Sequence, residues 1–351
     1  MEKNYILILL ILLFSNTAKA QTATEVVSGL DNPYGLALNG NHLYFTESGG
    51  NKISKIDLTA STPTTTDVVT GLNGPRGLAI NGNDLYIAES GGRKISKIDI
   101  SAATPITTDV VTGLSSNSIN ILLNGNDLYI AESGGSKISK IDITASTPTT
   151  TDVITGLNGP RGLALNGDDL YIAESGGSKI SKIDISAATP ITTDVVTGLN
   201  DPRGLALNGN DLYITENSGN KISKIDITAT TPTTTDVVTG LNGPSELLLN
   251  GSDLYITEVS GNKILKIDLS TLSINKNILN SKEQIYPNPS TNFIRISNLK
   301  AKGSYIIYNV LGAEVKNGTI DLEEIIEVQN LKNGIYLLKL YNGSTLKFLK
   351  E

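Results

Sequence analysis

From residue 24 onward, apolar and polar positions come in short bursts punctuated by glycine. One stretch shows the pattern. Leu78-Ala79-Ile80 reads as a first strand, and Asn81-Gly82 supplies the positive dihedrals of a tight hairpin. Asp84 to Glu89 (Asp-Leu-Tyr-Ile-Ala-Glu) is a second strand and Ser90-Gly91-Gly92 turns the chain. Lys94 to Ile100 is a third strand, and a Ser/Thr/Pro connection leads to a fourth at Asp109 to Thr112. Strands apolar on both faces predict sheets packed between other sheets. No stretch beyond residue 20 carries a helical period.

The bursts keep a fixed beat. A Gly-Leu pair recurs at Gly29, Gly71, Gly113, Gly156, Gly198 and Gly240, in steps of 42, 42, 43, 42 and 42 residues. A unit this short cannot bury its own apolar face and must stack on its neighbours. Four-stranded units of about 40–45 residues are the blades of a β-propeller, so the expected fold is all-β, a six-bladed β-propeller. The first three strands of the unit occur six times, from near Leu36, Leu78, Ile121, Leu163, Leu205 and Leu247. The fourth also occurs six times, but its first copy, Thr24 to Leu30, precedes the first trio. That N-terminal strand is the expected partner of the last trio, an overlap that closes the ring and removes two open edges. Ser270 to Leu279 is the alternative closing strand.

The repeat Pro-x-Gly-Leu-Ala-x-Asn-Gly-x-x-Leu-Tyr-x-x-Glu…Lys-Ile-x-Lys-Ile-Asp resembles the NHL and streptogramin-lyase-like six-bladed propellers over about residues 24–280. After Asn280 the beat stops. Tyr286-Pro287-Asn288-Pro289, Asn309-Val310-Leu311-Gly312, Asn333-Gly334-Ile335-Tyr336-Leu337 and Lys347-Phe348 follow in order. This segment resembles the type A sorting domain of the type IX secretion system of the Bacteroidetes. The resemblance implies a small β-sandwich recognised by an outer-membrane translocon, with release or surface attachment afterwards. Expected strands are Phe293 to Ser297, Tyr305 to Asn309, Ile325 to Gln329 and Ile335 to Tyr341.

The chain start fits that route. Met1 to Ala20 has charged residues, an apolar run from Ile6 to Phe14 and a small-x-small ending at Ala18-Lys19-Ala20. This is the pattern of an export signal cleaved near Ala20, and the run is short of the roughly 20 residues a transmembrane anchor needs. The expected division is a signal peptide at 1–20, a propeller at 21–270, a linker at 271–281 and a sorting domain at 282–351. With no cysteine in the chain, stability rests on packing and backbone pairing rather than disulfides. Residues 21–280 hold 27 acids against 17 bases, and 281–351 hold 7 against 9. An acidic propeller argues against nucleic acid as a partner.

Candidate chemistry divides into what repeats and what does not. Glu47, Glu89, Glu132, Glu174, Glu216 and Glu258 keep the beat. Six carboxylates near one axis are candidate ligands for calcium, the one cofactor suggested. The competing expectation is that each is used within its own turn or pairs with a lysine such as Lys52 or Lys94. At the middle of Pro-x-Gly the blades offer Tyr34, Arg76, Ile119, Arg161, Arg203 and Ser245. Blade three carries the insertion Ser115 to Asn120, and blade six has Glu246 in place of glycine. Three arginines can fork onto a carboxylate or sulfate, and Tyr34 can stack on a sugar. The simpler expectation pairs each arginine with a ring glutamate. Ligand candidates are therefore Tyr34, Asn120, Arg76, Arg161, Arg203, Ser245 and Glu246. The sorting motif is Tyr286, Pro287, Asn288, Pro289, Gly312, Asn333, Gly334, Tyr336 and Lys347.

No cysteine nucleophile, Ser-His-Asp set or histidine-rich zinc site can be assembled without another histidine. The one histidine, His42, sits where sibling blades have Asp84, Asp127, Asp169, Asp211 and Asp253, and reads as a turn residue. Streptogramin lyases use a histidine near the opening, which this chain lacks. The expectation is an exported binding module for an extracellular protein or glycan. The alternative is a calcium-dependent lactonase or esterase, or a lyase-like enzyme, at the central opening.

Overall fold

The computed structural model describes residues 21–115, 118–270, 283–299, 302–321, 325–341 and 344–351, with backbone alone at Ser118 and Ile119. The signal segment 1–20, the linker 271–281 and most of the alternative closing strand lie outside the described residues. The chain falls into two compact units that meet at Asp268/Leu269.

Six four-stranded antiparallel sheets form the first unit as propeller blades. Blade two is representative: Pro75–Asn81 innermost, then Asp84–Glu89, Lys94–Asp99 and Thr108–Thr112. The first hairpin is a two-residue loop opened by Gly82 at φ +59°, a dihedral that a side chain disfavours and glycine adopts freely. Blade six has only three strands of its own. Its outer strand is Thr24–Ser28, paired antiparallel to Lys263–Asp268. The N-terminal strand therefore closes the ring.

The core lies between blades. Ala37, Tyr44 and Ile53 of blade one pack on Leu78, Leu85, Ile87 and Ile98 of blade two. At the closing seam, Leu36, Leu43, Phe45 and Ile56 of blade one pack on Tyr255 and Ile264 of blade six. Each second strand is buried along nearly its whole length, as its two-sided apolar pattern predicts. An isolated blade would expose one of these faces, so the sheets hold only as a ring.

One feature differs from the sequence expectation. The expected first strand begins at Leu78, but the observed one takes in the preceding Pro-x-Gly segment and runs from Pro75. Pro75 pairs with Glu89 and Leu78 with Ile87, so Arg76-Gly77 form a β-bulge, and every blade repeats it. A bulge adds a residue and re-aims a side chain; here it brings the middle residue of Pro-x-Gly to the cavity at the ring centre.

The second unit contains a three-stranded sheet (Gln284–Tyr286, Phe293–Ser297, Ile325–Glu327) and a four-stranded one (Glu314–Ile320, Gly303–Asn309, Gly334–Leu340, Thr345–Lys350). Their facing apolar residues, among them Ile294, Ile307, Leu338 and Phe348, make one β-sandwich core. Tyr336 stacks on Phe348 with ring centroids 5.5 Å apart. Asn288 accepts the Leu349 N–H at 2.9 Å and so ties the Tyr-Pro-Asn-Pro opening to the terminal strand.

Candidate functional site

The repeated glutamates are spent inside their own blades. Glu174 accepts the Asn158 N–H at 2.8 Å on one oxygen and the Ser181 hydroxyl at 2.6 Å on the other. Lys179 stands 3.5 Å from it and bonds Asp194 at 2.6 Å, the contact that holds its ammonium above the usual lysine range. Glu47, Glu89 and Glu216 repeat this arrangement, with Ser54, Ser96 and Ser223 as donors. Glu132 bonds both Ser115, at the start of the insertion, and Ser139. Each of these carboxylates thus ties the entry to its innermost strand to the third strand of the same blade. Among the described residues no three acidic or histidine groups converge as a metal site requires. With both oxygens of five of them held by local donors, the glutamates do not fit a shared calcium ion.

Blade six breaks this pattern. Leu265 stands where the other third strands carry serine, and buried Oε2 of Glu258 is left without a hydrogen bond, although Lys263 lies 3.4 Å away.

The residues that vary between blades meet at the axis. Tyr34, Arg76, Arg161, Arg203, Ser245 and Glu246, together with Asn120, line one small central cavity of about 10 Å³, room for about one water. The arginines do not pair with the ring glutamates, contrary to the simpler expectation. Arg76 lies over the Tyr34 ring, 4.7 Å from its centroid. Arg161 donates from Nε to the Ser175 hydroxyl at 2.8 Å. Arg203 bonds Asp201 at 2.8 Å. The reason is reach: the glutamates are already engaged within their blades, whereas the bulge places the arginines nearer the axis. Burial, and then the neighbouring charge of Arg203, lower the affinity of Arg161 for its proton.

Across the axis, Asn120 Nδ2 donates to Glu246 Oε2 at 2.7 Å. These residues occupy the glycine position of blades three and six, which face each other across a six-membered ring. Glycine at this position permits close approach: a Cβ on Gly162 would overlap the Arg203 carbonyl of the next blade, and one on Gly35 the Arg76 carbonyl. The innermost strands draw apart at the two seams that carry Asn120 and Glu246. Burial pushes the Glu246 carboxyl up to about 8, against a smaller opposing effect of the Leu247 N–H. Below the pair, a second chamber of about 140 Å³ is lined by Leu36, Leu78, Ile121, Leu163, Leu205 and Leu247.

Several site residues escaped the sequence reading. Asp201, the partner of Arg203, replaces the glycine of Gly74 and Gly159, and this departure from the repeat was visible. Thr46, Thr215 and Thr257 stand where blades two to four have alanine. Thr257 Oγ1 accepts the Glu246 N–H and donates to the Tyr34 carbonyl, both at 2.9 Å, so it stitches the closing seam beside the site. His42 begins the second strand of blade one, at the end opposite Glu47. It takes the place of aspartates that elsewhere hold a lysine, as Asp84 holds Lys97 at 2.8 Å.

Comparison with known proteins bears on both units. No curated protein matches the chain. Among solved structures, a catalytically inactive virginiamycin B lyase from Staphylococcus aureus, crystallised with quinupristin, is 23% identical with a TM-score of 0.52, covering 68% of this chain and 80% of that one. A chain of a nidogen/laminin complex is 17% identical at TM-score 0.57, covering 66% and 90%. A proposed gluconolactonase is 14% identical at TM-score 0.58, covering 72% and 92%. At these identities the likeness is one of fold. Residues 284–350 match the secretion system C-terminal sorting domain, so the chain joins a β-propeller, similar in fold to the lyase and gluconolactonase structures, to a secretion sorting domain.

Proposed function

We propose that the chain is exported by type IX secretion and presents, outside the cell, a propeller that binds an extracellular protein or glycan at its axial mouth. The sorting domain supports the export route. The observation that carries the binding site is where the repeat fails. The blades are close copies in their second and third strands, while Tyr34, Asn120, Ser245 and Glu246 break the pattern around one cavity. A ring maintained only for stability gains nothing from variation at its axis, and sites are commonly carried on loops and ends of a repetitive scaffold.

An axial metal-dependent hydrolase or lyase is less well supported. The repeated carboxylates that would serve it are engaged within their blades. Two measurements test the proposal. Deleting 281–351 should abolish delivery past the outer membrane; normal delivery of the truncated protein would refute the export reading. Glycan and extracellular-protein arrays probed with the mature protein should give a ligand that the Tyr34→Ala variant loses. Full retention by that variant would move the binding face elsewhere.

A further inference from the structure

We propose that the axial mouth recognises a carboxylate, seated between the arginines of blades two, four and five and the Asn120–Glu246 pair beneath them. This rests on the mouth being the ligand face and adds the chemistry of what it binds.

The charge balance comes first. Arg76, Arg161 and Arg203 reach one cavity, and the one acid paired with them is Asp201, on Arg203. The groups whose charges act on Arg161 are Arg203, Asp201, Arg76 and Tyr34, which leaves net positive charge around a largely desolvated guanidinium. A cation held this way disfavours the folded protein unless an anion completes it. It stands out on a propeller segment with 27 acids against 17 bases. The guanidinium fork matches the two coplanar oxygens of a carboxylate.

The floor is the second observation. Four blades keep glycine at this position and pack closely at the axis. The other two, on opposite sides, part to admit Asn120 and Glu246, which meet at 2.7 Å. Plugging the channel would need only bulk, and an apolar pair would supply it without burying a carboxyl group. A protonated Glu246 beside the Asn120 amide instead offers hydrogen-bond donors toward an incoming anionic oxygen. The titratable groups sharing the cavity with Glu246 are Tyr34, Arg76, Arg161 and Arg203, and none is acidic. Burial raises the Glu246 carboxyl enough to keep it largely protonated at neutral pH. The flat head of a carboxylate matches the planar guanidinium forks better than a tetrahedral sulfate does.

The test is calorimetric titration of the mature full-length chain with D-galacturonate, galacturonate trimer, galactose and galactose 6-sulfate, at pH 6.5 and pH 9. The proposal expects a uronate to bind at pH 6.5 and to weaken about tenfold or more by pH 9, as Glu246 ionises and repels it. Binding of monomer and trimer alike would identify a free acid as sufficient; binding of the trimer alone would assign the site to an acidic glycan, and either supports the proposal. Galactose should not bind, and galactose 6-sulfate should bind more weakly than the uronate. Glu246→Gln should retain binding with a flat pH profile, and Arg161→Gln should lose about tenfold at both pH values. If Glu246→Gln fails to fold, the wild-type profile and Arg161→Lys decide, since the lysine keeps charge but loses the fork. Absence of uronate binding by the folded wild type overturns the proposal, as does equal affinity for the sulfate ester or a wild-type affinity unchanged at pH 9. Should uronates fail while arrays still give a ligand lost in Tyr34→Ala, the mouth stands as binding face and the carboxylate assignment alone falls.

Discussion

Replacing Glu246 by glutamine keeps the shape of the axial pair and removes its ability to ionise. The carboxyl is partly buried at the ring centre, accepts the Asn120 Nδ2–H at 2.7 Å, and is raised from 4.5 to about 8. Each unit of that rise is worth about 1.4 kcal/mol, so the whole displacement corresponds to about 5 kcal/mol. Channel water screens part of it, leaving an expected effect of about 2–5 kcal/mol. The sign follows from proton uptake. Below about pH 4.5 the group is protonated in folded and unfolded chains alike, and its contribution is fully present. Between there and about pH 8 the unfolded chain ionises while the folded one holds its proton, so stability falls as pH rises. Above about pH 8 the loss is complete. Glutamine escapes this loss, so Glu246→Gln should gain on the wild type across the window, with other titrations cancelling in the difference. Urea unfolding of both mature proteins at pH 4, 6 and 8.5, followed by tyrosine fluorescence, reads the gap directly. A variant-minus-wild-type stability that stays constant, or that falls as pH rises, would refute the reasoning.

Other perturbations address the ring itself. Glu174→Ala strands the Asn158 N–H and the Ser181 hydroxyl and takes from Lys179 the second of its two acids, and should cost about 3 kcal/mol by thermal denaturation. Glu258→Ala should cost about 1 kcal/mol less, because Leu265 already deprives it of the serine bond. Gly162→Ala meets the Arg203 carbonyl and should destabilise by about 2 kcal/mol or more in the same melts; Asn120→Gly should be tolerated far better. Removing residues 21–30 deletes the outer strand of blade six and leaves Lys263–Asp268 as an open edge, so size-exclusion chromatography should show dimers or aggregates in place of a monodisperse peak.

The parts of this structure that could be read from sequence are those repeated in every blade. The 42-residue beat, the two-sided apolar second strand and the surplus fourth-type strand at Thr24 fix the blades and their closure, because packing demands the same residues each time. The local glutamate network was foreseeable for the same reason: a polar group every blade needs is found in every blade. What stayed hidden depends on register or on distant partners. The bulge that carries Pro-x-Gly into the innermost strand adds a single residue, and hydrophobic periodicity does not resolve it. Asn120 and Glu246 lie 126 residues apart, and only the ring places them face to face. The arginine partners Ser175 and Asp201 follow from that same geometry. Leu265 was visible as a lone departure from serine, but its effect on Glu258 required the hydrogen-bond pattern.

The account places function where the repeat breaks. Hydrogen exchange of the mature protein, with and without the ligand identified on arrays, tests this most directly. Protection should concentrate in the axial segments 31–36, 73–78, 118–121, 158–163, 200–205 and 242–247 and leave the Ser/Thr/Pro connections at the blade rims unchanged. Protection of those outer connections, with the axial segments unaffected, would contradict it.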